Sequence, residues 1–387
     1  MKKLILISLV VILLVGTVLA GCAKQAAPSP APAPAAPAPK PAEQGKFIVI
    51  EPSIPAAPAP KPAVAPAKVY KLRFNDWGPA QIDIGVRAQE WAKVIEDRSG
   101  GRIEIDTFFT ESLLKRADTY RGTEAGLADV ALYVLGANPG IHQINRVIDL
   151  PGTGIPGQIA QQEIYEKLRA KYPEMLKEYG NVFPLIMRGL PAEHIHTTGK
   201  FRLVRVPADA AGLKTYANAL WSDALGSIGV AIVNPAVMDW YLSLDRNLIQ
   251  GMFIHWLAIY SFGLTELMKY HTLIGESGAG MQTFGYIMNK DSFAELPADL
   301  QKIVLDTSTE WFSKYREDDP KTIQAGIDLA KKLGNQVVTL TPEEQQQWLD
   351  LAKPIHEKWI ADSEKAGYAN ARAIYNDMMA MVKEYKK

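Results

Sequence analysis

From Val69 onward the chain switches repeatedly between hydrophobic residues spaced by two and hydrophobic residues spaced by three or four. Tyr70, Leu72 and Phe74 share one face of 69–75, which is the period of a strand. Ile84, Trp91 and Ile95 recur at helical spacing across 81–99, and Gly100-Gly101 ends that helix. Residues 102–109 then alternate again. Strand, helix and strand in about forty residues form a βαβ unit, so a parallel or mixed sheet is expected. The pattern predicts a helix near 113–125, a strand at 129–134, a helix near 158–179 and a strand at 182–188. A second set follows, with a strand near 212–217, a helix to about Ile228 and a short strand at 230–233. Asn234-Pro235 reads as an N-cap with proline at the first helical position, opening a helix through Leu244, after which the chain returns through 249–253. Residues 291–333 read as long helix and 337–340 as a strand, and Thr341-Pro342-Glu343-Glu344 is a capping box that starts the C-terminal helices. This is an α/β pattern in at least two lobes, without a solenoid repeat.

Ahead of Val69 neither period is present. Residues 1–22 open with Met1-Lys2-Lys3, run apolar from Leu4 to Val15 and finish Leu19-Ala20-Gly21-Cys22, which is the order of a secretory signal. A transmembrane anchor is the alternative reading, although the run falls short of the ~20 apolar residues a bilayer needs. The Leu-Ala-Gly-Cys end resembles a bacterial lipobox, which implies cleavage before Cys22 and acylation of that residue. Each buried CH₂ of an acyl chain contributes about 0.8 kcal/mol, so several chains on one residue anchor a protein without spanning the membrane. Residues 23–68 hold 13 of the 26 prolines among alanine and lysine. Such a composition buries too little apolar surface to fold and predicts a semi-rigid tether. Lys46-Phe47-Ile48-Val49-Ile50 interrupts it and reads as an apolar patch in the linker or a short docked strand.

Composition changes this picture mainly by exclusion. With 387 residues, 48% hydrophobic and 22% charged, the chain is folded and of two- or three-domain size. A formal net charge of +0 gives no electrostatic reason to expect nucleic acid. Residues 1–68 carry seven lysines and two acids, so the body holds 35 basic and 40 acidic residues and is mildly acidic. Cys22 is the sole cysteine, which excludes an internal disulfide and a thiolate metal cluster. The body has no phosphate-binding Gly-x-x-x-x-Gly-Lys-Ser/Thr loop, no dinucleotide Gly-x-Gly-x-x-Gly and no Gly-x-Ser-x-Gly elbow. His194-Ile195-His196 puts two rings on one face of a strand, a spacing that suits zinc only if two more ligands converge, and a polar edge or cleft wall otherwise. Carboxylates are plentiful, so a glycosidase-like pair stays open, but no nucleophile, base, metal or cofactor is nominated.

The stretch Glu90-Trp91-Ala92-Lys93-Val94-Ile95-Glu96-Asp97-Arg98-Ser99-Gly100-Gly101-Arg102-Ile103-Glu104-Ile105 resembles the first helix and second strand of the extracytoplasmic solute receptors of TRAP transporters, the DctP-like family. Gly126-Leu127-Ala128-Asp129-Val130, Ala211-Gly212-Leu213-Lys214, Met288-Asn289-Lys290 and Leu296-Pro297-Ala298-Asp299-Leu300-Gln301 follow in matching order. The resemblance covers nearly the whole body. It implies a two-lobed α/β periplasmic binding protein fold, type II-like, with hinge strands and a long helix spanning both lobes. Lobe I is then expected from 69–190 and 280–320, and lobe II from 191–279 and 321–387. The implied function is capture of a small organic acid between the lobes and delivery to the TRAP membrane permease, outside the cytoplasm, with the bilayer reached through acylated Cys22. A lipid-anchored sensor and a cell-envelope hydrolase or lyase are the alternatives.

Two positions depart from the family pattern. Members usually continue Gly-Leu-Lys-x-Arg, with the arginine clamping the ligand carboxylate, but this chain reads Gly212-Leu213-Lys214-Thr215-Tyr216. One hydroxyl cannot make a bidentate salt bridge. Gln250-Gly251-Met252-Phe253-Ile254-His255 stands where the family has Asp-Gly and a polar pair ending in asparagine. Trp77 follows the first strand and Tyr133 ends the third, which suggests an aromatic-walled cleft, with core packing as the alternative for each. Positive charge then falls to Arg188, at the end of an apolar hinge strand, or secondly to Arg116 at a helix start. The candidate ligand residues are therefore Trp77, Arg116, Tyr133, Arg188, Tyr216 and His255, and the expected ligand is a hydrophobic or aromatic monocarboxylate.

Overall fold

A computed structural model describes residues 68–386 apart from 138 and 139. The expected signal segment, the acyl acceptor Cys22, the linker up to residue 67 and the Lys46–Ile50 patch lie outside the described residues.

Eleven strands are described: β1 (Tyr70–Asn75), β2 (Ile103–Phe108), β3 (Val130–Val134), β4 (Val182–Gly189), β5 (Glu193–Thr198), β6 (Lys214–Tyr216), β7 (Ala231–Ile232), β8 (Gly251–His255), β9 (Met268–Leu273), β10 (Thr283–Asn289) and β11 (Gln336–Thr339). They form two mixed sheets, ordered β2-β1-β3-β10-β4 and β11-β9-β5-β8-β6-β7. The predicted βαβ start is present, with β1 and β2 parallel from Tyr70 opposite Ile103 to Asn75 opposite Phe108. The chain passes to the second sheet between β4 and β5 and back between β9 and β10. The two passages are tied side by side, Leu190 N–H donating to Gln282 O at 2.8 Å and Glu193 N–H to Gly280 O at 2.8 Å.

Alternation along the strands sorts side chains into two cores, each covering one face of both sheets. Val130, Leu132 and Val134 of β3, with Met252 and Ile254 of β8, face one core together with Phe74, Trp91, Trp311 and Tyr315. Ala131 and Tyr133, with Phe253, face the other core with Tyr165, Trp221, Trp348 and Met378. The helix Ala298–Lys332 covers the first face across both sheets. Near its start Ser308 accepts from Trp91 Nε1 at 3.2 Å, and near its end Gly326 lies against Tyr260 and Trp256. This is the lobe-spanning helix that the resemblance implies. It begins after a break at Leu296-Pro297, which separates it from the short helix Lys290–Ala294 and divides the single predicted run. Pro173 similarly divides the predicted 158–179 helix into Gln158–Lys171 and Glu174–Lys177.

The capping box forms as read, with Glu344 N–H donating to Thr341 Oγ1 and Thr341 N–H to Glu344 Oε2, and opens the helix Pro342–Lys365. The last helix, Ala371–Tyr385, was expected with the second lobe, yet it packs on Gln158–Lys171 beside the first sheet. Tyr385 reaches Glu163 there, and Tyr172 and Lys171 reach Asp377. These contacts join residues more than 200 positions apart, a separation that no local pattern reports. Strands β9 and β10 were not predicted either. All seven residues of β10 are buried, so the strand has no polar face to alternate with.

Candidate functional site

In open α/β sheets ligands bind beyond the carboxyl ends of the strands. Here β1 runs parallel to β3 in one sheet and β6 runs parallel to β7 in the other. The segments that follow these strands enclose a cleft of about 400 Å³ between the two sheets. Arg116 and Gly136 line it from the first lobe, Tyr216, Asn218 and Asn234 from the second, and Gln282 from the passage into β10. Arg116 starts a single helical turn, and its guanidinium lies 5.1 Å over the Trp77 ring. Its backbone N–H donates to Glu111 Oε1 at 3.0 Å, while the side chain makes no ion pair among the described residues and its Nε is buried without a partner. Across the cleft Tyr216 packs edge-on against Trp240 at 5.1 Å, and Trp240 against Phe262 at 5.1 Å. The cleft lining thus holds two cations without an ion pair among the described residues, Lys115 and Arg116, together with Glu111, and faces them with Tyr216. Beside Trp77, the buried Asp76 carboxyl accepts from Gly78 N–H at 2.8 Å, and burial pushes it up to about 7.

Of the six expected ligand residues, Arg116 and Tyr216 line this cleft, and Trp77 lies beneath the Arg116 guanidinium. Tyr133 goes elsewhere, because its place on β3 turns it to the opposite face, between Tyr120 at 6.0 Å and His142 at 5.6 Å. Arg188 is neutralised: Nη1 donates to Asp319 Oδ2 at 2.6 Å, with the two side chains 3% and 2% exposed. Gln158 donates to the same oxygen at 2.8 Å, and the guanidinium lies 4.2 Å over Tyr315. Arg188, the first-choice cation, thus has an internal carboxylate partner and Arg116, the second, has none among the described residues; Asp319 comes from the long helix and is invisible in the sequence around β4. His255 caps the helix Trp256–Ser261, its Nδ1 accepting from Ala258 N–H at 3.1 Å. Burial lowers its pKa to about 3, with Asp319 pulling it up and Arg188 pushing it down.

Lys115, Asn218, Asn234 and Gln282 line the cleft without having been among the expected ligand residues. Asn234 does not cap a helix, because regular helix begins only at Trp240 after a turn over Val237–Asp239. Its Oδ1 accepts from Ala217 N–H at 3.4 Å, which ties the ends of β6 and β7. Asn218 and Asn234 each stand two residues beyond the end of a short strand, β6 or β7. The His194/His196 pair is also spoken for. His196 Nδ1 meets His271 Nδ1 at 2.7 Å, and His194 Nδ1 accepts from Ile274 N–H at 3.2 Å.

Residues 75–362 match the family described as bacterial extracellular solute-binding protein, family 7, DctP. The chain belongs to the DctP family. Among relatives, this DctP-family chain is 24% identical over 254 residues to a solute-binding protein of Verminephrobacter eiseniae, covering 62% of this chain and 71% of that one. It is 29% identical over 163 residues to the C4-dicarboxylate-binding periplasmic protein DctP of Vibrio cholerae, covering 41% of this chain and 48% of that one. A TRAP solute-binding protein from Rhodoferax ferrireducens, solved with copurified benzoate, superposes with a TM-score of 0.74 at 21% identity over 82% of this chain and 99% of that one. The two-lobed fold is therefore that of TRAP solute-binding proteins, as the sequence resemblance implied. DctP proteins bind solutes outside the cytoplasm, and among the described residues no helix is long and apolar enough to cross a membrane.

Proposed function

We propose that this DctP-family protein is the receptor of a TRAP transporter for a partly apolar or aromatic monocarboxylate, which it holds between its lobes and hands to the membrane permease. The observation that carries the reading is Arg116, a cleft guanidinium stacked on Trp77 without a carboxylate partner among the described residues. A ligand carboxylate supplies that partner, and its apolar body lies against Trp77 and the Tyr216–Trp240 pair. Closure of the lobes excludes water and strengthens the single charge pair through the lower local dielectric. Tyr216 stands where the family clamp arginine is expected, so a second carboxylate loses the bidentate partner on that wall and has only the exposed Lys115 ammonium on the other. Arg188, His255 and Tyr133 have supporting parts: Arg188 sets the hinge end of β4 through Asp319, His255 caps a helix, and Tyr133 packs behind β3.

Isothermal titration of the mature protein tests this reading. Benzoate is expected to bind, succinate much more weakly, and Arg116→Gln to abolish most of the benzoate affinity while Arg188→Lys keeps it. Equal affinity for succinate and benzoate, or indifference to Arg116→Gln, would falsify it. Tethering through acylated Cys22 belongs to the same proposal. In cells, Cys22→Ser is expected to move the protein from the membrane to the soluble fraction with benzoate affinity unchanged, whereas retention through Leu4–Val15 contradicts the lipid anchor.

A further inference from the structure

A larger cavity than the cleft lies where the helix Pro342–Lys365 stands off from the short helix Ser222–Ser227. It measures about 570 Å³ and has walls from three parts of the chain: Arg146 from beside the first sheet, Leu220 and Ala224 from the second lobe, and Leu351, Ile355 and Trp359 from the long C-terminal helix. The space is a groove open to solvent, and its volume falls in the ~300–1,000 Å³ range of small-molecule sites. Charge at its rim is already balanced on the acidic side. Asp350 pairs with Lys353 at 2.6 Å, Asp362 with Lys358 at 2.9 Å, and Asp223 lies 4.0 Å from Lys358.

Arg146 is the exception. It makes no hydrogen bond or ion pair through its side chain among the described residues, and its Nε is buried without a partner. Asp149 acts on it electrostatically without bonding to it: its Oδ1 accepts from the Thr283 N–H and hydroxyl at 2.8 and 2.6 Å, and its Oδ2 has no partner among the described residues. Burial without a bonded counter-charge lowers the Arg146 pKa from its ordinary value. A desolvated guanidinium at one end and aliphatic and aromatic side chains along the rest are the two halves of an amphipathic recognition site.

We propose that this groove is a second binding site, distinct from the cleft at Arg116, which takes a small amphipathic anion with its carboxylate on Arg146 and its apolar chain against Leu351, Ile355 and Trp359. The two sites lie on either side of Ala219, which lines both, and each has its own arginine. Occupancy of one therefore does not require the cation of the other. Because the groove is walled from both lobes, a molecule in it also bridges them.

The test uses sodium decanoate and the full mature protein carrying Arg116→Gln, so that the cleft arginine is removed. Titration is expected to show one decanoate site. Adding Arg146→Gln should weaken it at least tenfold, and Ala224→Trp, which fills the groove without touching the charge, should do the same. Arg146→Gln alone should leave benzoate binding in the cleft unchanged, which separates this proposal from the reading of the cleft. Both variants keep the thermal transition of the parent if they fold normally, and a crystal structure with decanoate locates the chain directly. Absence of decanoate binding at millimolar concentration, binding unaffected by either groove substitution, or decanoate found only in the cleft between the sheets would overturn the second site.

Discussion

Arg188 and Arg116 carry the same charge in two surroundings, one at the hinge end of β4 and the other at the mouth of the cleft. Arg188 is enclosed by Asp319, Tyr315 and Phe284, and its charge is answered inside the protein. Arg116 has the face of Trp77 beneath it and no internal carboxylate partner among the described residues. Breaking a buried pair leaves an uncompensated charge, whereas an unpaired cation in a cleft leaves a demand that a ligand can meet. The first arginine is therefore committed to the fold, and the proposed reading gives the second to the ligand, although both look alike along the chain.

The largest effect that separates them is on stability. Removing one partner of a buried ion pair costs about 3–5 kcal/mol, so Arg188→Met should lower the midpoint of urea unfolding strongly. Arg188→Met combined with Asp319→Leu should recover most of that loss, because no charge is then left buried alone. Recovery absent from the double variant would show that the hinge needs the ions themselves. For Arg116→Gln the order reverses: the unfolding midpoint should barely move, while a charge-assisted hydrogen bond worth ~1.5–3 kcal/mol is lost from binding, roughly a tenfold to hundredfold fall in benzoate affinity.

Tyr216→Arg sharpens the contrast from the opposite wall. A cation on that wall should raise succinate affinity about tenfold relative to benzoate, since it gives a second carboxylate a charge-assisted bond and removes the Trp240 contact from the aromatic wall. An unchanged succinate-to-benzoate ratio would mean that position 216 does not select the ligand.

The smallest effect is a titration at the hinge. His255 accepts through Nδ1, so it is neutral in the folded chain, with a pKa lowered to about 3 against 6.5 for an ordinary histidine. Below pH 6.5 the unfolded chain binds a proton that the folded chain refuses. The stability from a neutral His255 is therefore complete above pH 6.5 and is lost as pH falls toward 3. In Arg188→Met the repelling cation is gone and Asp319 remains, so the His255 pKa should rise, as followed by its imidazole proton resonances against pH. A fall, or no movement, would place His255 outside the field of that pair. The midpoint of Arg188→Met should also become less sensitive to acid over the same range.

Much of the fold was legible before any coordinates. The opening βαβ unit, the strand at 129–134, the capping box at Thr341 and the long helix near 291–333 all appear, because each is marked by local periodicity or by a local hydrogen-bond pattern. The helix breaks at Pro173 and Pro297 were legible in principle, since proline removes a donor and crowds the preceding turn. Strand β10 was not, because burial on both faces erases the alternation that identifies a strand. Within the site, Arg116 and Tyr216 were nominated and line the cleft, with Trp77 beneath Arg116, while Asn234 was given a helix-capping part and instead ties two strand ends.

Composition and order along the chain determined the α/β class, the family resemblance, the candidate aromatic and basic residues, and the absence of the nucleotide and serine-hydrolase motifs sought. Those are properties of residue types and short spacings, which survive without a third dimension. Tertiary structure decided which arginine is free, which face of β3 carries Tyr133, and that the last helix rests beside the first sheet. Each of these turns on a partner far along the chain: Asp319 is 131 residues from Arg188, and Asp377 is 205 residues from Tyr172. A charge, a ring or an amide gains its part from what it is buried against, and burial partners are set by the packing of the whole chain.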